Sequence, residues 1–284
     1  MTAGFDRLRL WVAACAIAAG GSGVTALADE GASPWDGDSR GAIRLIAGSW
    51  RDRASAPVRA GIEIRLKPGW HTYWRYPGDA GVPPRFDFSG SRNVGAVTVL
   101  WPAPRRMAEQ GLSVIGYAED VILPLLVAPR SRAEPVTLRL KADYALCEKL
   151  CLPSQAAVAL TLGKENSPWD GALTEASSRV PKKRTLGEAG ELAVRSVRRE
   201  GAQGSRVVIE VAAPAGHGID LFAEGPGPDW ALPLPVAEGA AAGGRQRFAL
   251  DLDGAPPGAK YEGAVITITA VAGNDAIEVP APLD

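Results

Sequence analysis

Two cysteines four positions apart, in Cys147-Glu148-Lys149-Leu150-Cys151-Leu152-Pro153, are the residues of this 284-residue chain best suited to chemistry. Three intervening residues can form a turn that brings the two Cα atoms within the roughly 4.4–6.8 Å of a disulfide. A permanent staple there stabilises little: a five-residue loop gives about 2 kcal/mol, against about 4.7 kcal/mol for a 100-residue loop. The pair also joins residues that are already neighbours, and a domain of well over 100 residues needs no such help. Weak stabilisation fits a bond that opens and closes. Exchange runs by thiolate attack through a mixed disulfide, so one sulfur must reach solvent, and a turn at a strand end offers that access. Lys149 favours a thiolate and Glu148 opposes it, so their sum has no sign from sequence.

Three chemistries remain open at this point: disulfide exchange, Cu(I) held by both thiolates, and a structural disulfide in a non-catalytic binding or assembly module. Soft or imidazole partners for a metal are few, namely Met107, His71 and His217. A tetrahedral zinc site would need two ligands beyond the thiols, and the histidines are the obvious source. Two histidines without a nucleophile motif give no Ser-His-Asp reading, and no Gly-rich phosphate loop is present.

The second concentration of functional side chains is Trp70-His71-Thr72-Tyr73-Trp74-Arg75-Tyr76-Pro77-Gly78. Its plain reading is a strand whose alternate rings enter the core, ended by a Pro-Gly turn. Its functional reading makes Trp70, His71, Tyr73 and Trp74 the lining of the thiol site, shielding the sulfurs from unselective oxidation. A sugar-stacking platform is a third reading, without other support in the sequence.

The compartment suits a labile disulfide. Residues 1–28 read as a secretory signal peptide, with Arg7 and Arg9, an apolar run from Leu10 to Ala19, and Ala26-Leu27-Ala28 before Asp29. Cys15 lies inside that run, too close to Arg9 for a lipoprotein signal, and is expected to leave with it. No later stretch has the 18 or more apolar residues of a membrane helix, so the expectation is an exported, periplasmic protein. With 31 basic and 32 acidic residues the net charge is −1, which provides no basic footprint for nucleic acid.

These residues must be held by strands. Candidate strands are Ala42 to Trp50, Val58 to Leu66, Val94 to Trp101, Val121 to Val127, Val136 to Leu146 and Ala156 to Leu162. Val136, Leu138, Leu140, Ala142, Tyr144 and Leu146 alternate with polar residues, the period of a half-buried strand. Further strands are expected at Leu192 to Val197, Arg206 to Val211, Ile219 to Ala223, Arg247 to Leu252 and Ala264 to Val271. The predicted class is all-β, a β-sandwich over 29–163 and a second, smaller sandwich over 191–284. Residues 164–190 read as a linker with a short helix near Ala172 to Arg179.

Several separated motifs follow in one order: Trp70-His71-Thr72-Tyr73-Trp74, Pro77-Gly78-Asp79-Ala80-Gly81, Trp101-Pro102-Ala103-Pro104-Arg105, Gly116-Tyr117, Cys147, and Cys151-Leu152-Pro153. The series resembles the periplasmic N-terminal domain of DsbD-type thiol–disulfide interchange proteins, in the branch of the suppressor-of-copper-sensitivity membrane reductases. The resemblance covers about Ala42 to Leu162 and is weaker from Leu192 to Pro282. It implies an immunoglobulin-like sandwich whose Cys147 and Cys151 exchange electrons with a membrane-embedded donor and with periplasmic thioredoxin-like partners, with no bound cofactor. The cysteines stand closer together here than in the best-known members. The chain ends at Asp284 without membrane helices or a thioredoxin-like domain, so the expected electron donor is a separate protein.

Overall fold

The computed structural model describes Met1 and residues 30–50, 57–109, 111–201, 204–214 and 216–284. The expected signal peptide, Met1 apart, and Cys15 with it lie outside the described residues. In chain order the first part comprises β1 (Asp36–Gly37), β2 (Gly41–Ala47), β3 (Val58–Leu66), β4 (Thr72–Gly78), β5 (Arg85–Asp87), β6 (Val94–Val99), β7 (Arg105–Glu109), β8 (Leu112–Tyr117), β9 (Val121–Pro129), β10 (Val136–Cys147) and β11 (Cys151–Leu162). Helix α1 (Asp170–Ser178) follows. The second part holds β12 (Lys182–Lys183), β13 (Ala193–Glu200), β14 (Arg206–Ala212), β15 (Ile219–Glu224), β16 (Val236–Ala242), β17 (Arg245–Asp251), β18 (Val265–Ala272) and β19 (Asp275–Pro282).

The fold is all-β, two immunoglobulin-like sandwiches in sequence. In the first, the sheet β1-β2-β3-β9-β6 faces β11-β10-β5, and a small sheet β4-β8-β7 covers one end. Ile43, Leu45, Ile62, Ile64, Leu123 and Leu125 pack against Leu138, Leu140 and Tyr144 in one core. Strand β10 shows why: its buried residues alternate from Val136 to Tyr144, one face inward. The alternation then stops, and Tyr144 to Cys147 are all buried. At that end the strand is covered on both faces, which is the first sign that something shields the cysteine.

Helix α1 lies where a short helix was expected, within 164–190, and it is packed against the first sandwich. Leu173 is fully buried in a cluster with Ala32 and Ile46, and the Asp170 carboxylate accepts hydrogen bonds from Ser49 N (2.8 Å) and Ser49 Oγ (2.5 Å). The helix is thereby docked on the first sandwich, its Asp170 placed favourably at the positive end of the helix dipole. Lys182 and Lys183 are likewise paired, parallel to β19.

The second sandwich packs β12-β19-β18-β15 on β13-β14-β17-β16, around Val207, Ile209, Leu221, Phe248, Ile266, Ile268 and Val279. Phe222 and Leu234 do not join that core. They belong to the first one, on the side of Trp74, so the two sandwiches meet over a shared apolar boundary.

Candidate thiol site

The β10–β11 hairpin sets the site. Its register runs from Val136 opposite Leu162 to Cys147 opposite Cys151, so the last pair of the ladder is the cysteine pair. The two are disulfide-bonded, with Cα atoms 4.2 Å apart. They differ sharply in access: Cys147 is fully buried, while Cys151 is exposed beside Glu148, Lys149 and a Leu150 that is 71% exposed.

The buried side is built by β4. His71 and Cys147 exchange both backbone hydrogen bonds, at 2.9 and 3.0 Å, and Thr72 Oγ1 donates to Ala145 O at 2.9 Å. This stitching brings the next side chain, Tyr73, onto the sulfurs. Its hydroxyl oxygen lies 2.9 Å from Cys147 Sγ and 2.9 Å from Cys151 Sγ, and the ring is 1% exposed. Strand β4 can lie this close to β8 because residue 116 is glycine; a Cβ there would stand 2.0 Å from Thr72 O. Tyr73, Val114, Ala145 and Cys147 form a small buried cluster of their own, against which Met107 packs.

Strand β7 adds the charge. Tyr73 donates to Glu109 Oε2 at 3.0 Å, His71 Nε2 lies 3.3 Å from the same oxygen, and Glu109 Oε1 lies 3.0 Å from Cys151 Sγ. In the disulfide neither sulfur carries a proton, so this last contact becomes an S–H···O hydrogen bond once the bond is reduced. The His71 and Tyr73 rings meet edge to face, 5.6 Å apart. Burial, reinforced by the hydrogen bond to Glu109 and its charge, holds the Tyr73 phenol above its ordinary pKa. The phenol therefore remains a hydrogen-bond donor throughout the range in which thiols exchange.

Of the aromatic segment, the structure brings His71 and Tyr73 to the thiols. Trp70 and Trp74 do not line them: both lie in the core of the first sandwich, Trp74 facing the Phe222 ring at 6.0 Å. Strand alternation is the reason, since 71 and 73 share one face and 70, 72 and 74 the other. His217 packs against the β18–β19 turn at Gly273, in the second sandwich. Glu109 escaped the sequence reading altogether. It sits 38 residues before Cys147 in a strand without clear periodicity, and the β4-β8-β7 pairing alone brings it to the sulfurs.

The donor atoms of His71, Glu109 and Cys147 all lie within 4.8 Å of one another, close enough in principle to share a metal ion. The space among them is filled, however. The Tyr73 oxygen stands within 2.9–3.0 Å of both sulfurs and the carboxylate. A metal at the usual 2.0–2.3 Å from such ligands would have to expel that buried ring.

Residues 48–163 match the family described as thiol:disulfide interchange protein DsbD, N-terminal. This segment is similar to a DsbD N-terminal domain. The cysteine hairpin, β4 and Glu109 all fall inside it, so the sulfurs and the groups around them belong to a thiol–disulfide interchange module. A solved structure, the N-terminal periplasmic domain of ScsB from Proteus mirabilis, superposes with a TM-score of 0.71 at 19% identity, over 89% of this chain and 98% of that one. That likeness extends the shared fold beyond the DsbD N-terminal domain into the second sandwich. No curated protein matches the sequence.

Proposed function

We propose that the protein is a periplasmic thiol–disulfide exchange protein, passing electrons between a membrane-embedded donor and thioredoxin-like partners through Cys147 and Cys151. Exported by residues 1–28, it divides into an exchange domain over 29–163, a helix-bearing connection over 164–190 and a second domain over 191–284. The observation that supports this reading is the asymmetry of the pair: one sulfur exposed, the other buried beside a phenol that keeps its proton.

Cys151 is the sulfur a partner reaches. In the reduced protein its proton passes to Glu109, and the thiolate attacks one sulfur of the partner's disulfide. The partner's second sulfur leaves as a thiolate and takes that proton from Glu109. Cys147 then gives its proton to the freed Glu109 carboxylate, within 4.8 Å, and attacks Cys151 Sγ, closing the hairpin disulfide and releasing the partner's other sulfur as a thiolate that takes this second proton. Two electrons and two protons thus pass from hairpin to partner, and the reverse sequence with a dithiol donor recharges the pair. While the hairpin bond is being broken, Cys147 becomes a buried thiolate, and the Tyr73 hydroxyl at 2.9 Å is placed to stabilise it by turning its one proton from Glu109 to the sulfur. The sulfurs themselves are the redox group, and no cofactor enters this scheme.

A Cu(I) ion held by the same thiols would compete for space with the Tyr73 oxygen, 2.9 Å from each sulfur, and this weighs toward exchange. Equilibration of the protein with glutathione buffers tests the proposal. A reduction potential near about −200 mV suits a shuttle, and one well below about −300 mV would mark a structural bond.

A further inference from the structure

We infer that the second sandwich is a positioning element of the thiol site, holding the strands that carry Tyr73 and Glu109 through Arg75 and Arg106. This inference rests on the exchange reading above.

The first ground is where the β4 ladder fails. Thr72 pairs with Tyr117 and Tyr73 with Gly116, but the next partner is Gly78 opposite Val114, with a register shift between. The stretch from Trp74 to Pro77 lacks that regular pairing, immediately after the residue that touches both sulfurs. Trp74 is anchored in the first core, and Arg75 and Tyr76 are held from the second sandwich. Arg75 donates to Glu224 on β15 from Nε at 2.9 and 3.1 Å and from Nη2 at 2.6 Å, and to Glu278 on β19 at 2.5 Å. One guanidinium thus ties β4 to two strands of the facing sheet, in the fork geometry that fixes orientation as well as distance. It also stacks over Trp74, 4.2 Å from the ring centre, and the Tyr76 hydroxyl donates to Leu232 O.

The second ground is independent and lies on β7. Arg106 donates from Nε to Asp220 Oδ1 at 3.1 Å, and from Nη2 to Leu221 O at 3.2 Å and Pro235 O at 3.3 Å. Alternation turns Arg106 to the second sandwich and Met107 and Glu109 the other way, so the strand is gripped on one face and carries the carboxylate on the other. Arg106 holds β7 on the face opposite its carboxylate, and Arg75 holds β4 two residues beyond Tyr73, inside the stretch where the register shifts. Contacts to reacting atoms need placing to within about 0.5 Å, and the support of neighbouring side chains supplies that placement.

Arg75 and Arg106 are positioning residues, and their effect should pass through Tyr73. The test uses the full chain: Arg75→Met, Tyr73→Phe, the double variant, and Glu224→Gln/Glu278→Gln, with the rate of reduction by dithiothreitol and the potential in glutathione buffers as readouts. Arg75→Met should slow reduction by about 10-fold, the scale typical of outer supports at reactive centres. In the Tyr73→Phe background the same change should add little. Arg245→Met, which removes a surface ion pair to Glu210 in the second sandwich, should leave rate and potential unchanged. Full additivity of Arg75→Met and Tyr73→Phe, or a wild-type rate and potential in Arg75→Met, overturns the inference while leaving exchange intact. Should Arg75→Met fail to fold, the Glu224→Gln/Glu278→Gln protein and its combination with Tyr73→Phe decide by the same criterion. A wild type that dithiothreitol cannot reduce overturns the exchange reading itself, and this inference with it.

Discussion

Replacing Glu109 by Gln should lower the pKa of the reduced Cys151 thiol by about one to two units. The size follows from one distance. Glu109 Oε1 lies 3.0 Å from Cys151 Sγ, and the sulfur belongs to an exposed residue. At that separation two like charges repel by about 1.4 kcal/mol at a dielectric of about 80 and about 2.8 kcal/mol at about 40, and each 1.36 kcal/mol is about one pKa unit. The carboxylate also accepts the thiol proton, which favours the neutral form, so charge and hydrogen bond act in the same direction. Gln preserves the shape and removes the charge. The assay is the pH dependence of iodoacetamide alkylation in a Cys147→Ser background, where Cys151 alone among the described cysteines reports. Glu148→Gln is the control: adjacent in sequence but exposed at the hairpin tip, it should move the profile less. A profile that stays within about 0.3 units in Glu109→Gln, or moves upward, refutes the electrostatic account of the site.

Removing the Tyr73 hydroxyl with Tyr73→Phe should slow reduction by dithiothreitol about 10-fold or more, the worth of a hydrogen bond to a charged group; an unchanged rate would show that the phenol does not assist the departing sulfur. Gly81→Ala should destabilise by about 1–3 kcal/mol in chemical denaturation, because φ there is +114° and the new Cβ would stand 2.4 Å from Tyr73 Cε1; a neutral result would mean the ring moves freely. Leu173→Ala should cost about 2–5 kcal/mol if α1 is docked as described, and nothing if it is a loose connection. Alkaline pH should destabilise the fold. Burial raises Tyr76 and Tyr144 from 10.0 to about 12, and raises Tyr117 further. A folded-state pKa above the unfolded value gives stability that is complete below about pH 10 and is lost as pH rises through about 12. The denaturation midpoint should fall across that window, and a midpoint constant to pH 12 would contradict the burial of these phenols.

Long strands with one wet face were legible in the sequence. Val58–Leu66 and the alternating β10 appear where their periodicity places them, because a two-residue repeat of apolar side chains has one good solution in a sandwich. Short or irregular strands were not legible. β5, β7 and β8 span three to six residues and take their geometry from partners distant in sequence. β16 is largely Ala and Gly, and β19 carries two prolines, so neither announces a strand. The site divides along the same line. The cysteine pair is local and visible, and Tyr73 and His71 stand out by type. Glu109 is one of many carboxylates, and only the pairing of β7 with β8 and of β8 with β4 singles it out. Trp74 misled because sequence gives the parity of a strand but not which parity faces the sulfurs.

The most direct test of the central claim is covalent capture at a defined sulfur. Each single variant, Cys147→Ser and Cys151→Ser, is incubated with an oxidised thioredoxin-like protein, and the reductant-sensitive adduct is mapped by mass spectrometry. The exposure of Cys151 and the full burial of Cys147 predict an adduct through Cys151 in Cys147→Ser and essentially none in Cys151→Ser. No adduct from either variant, or equal capture through Cys147, would contradict the account.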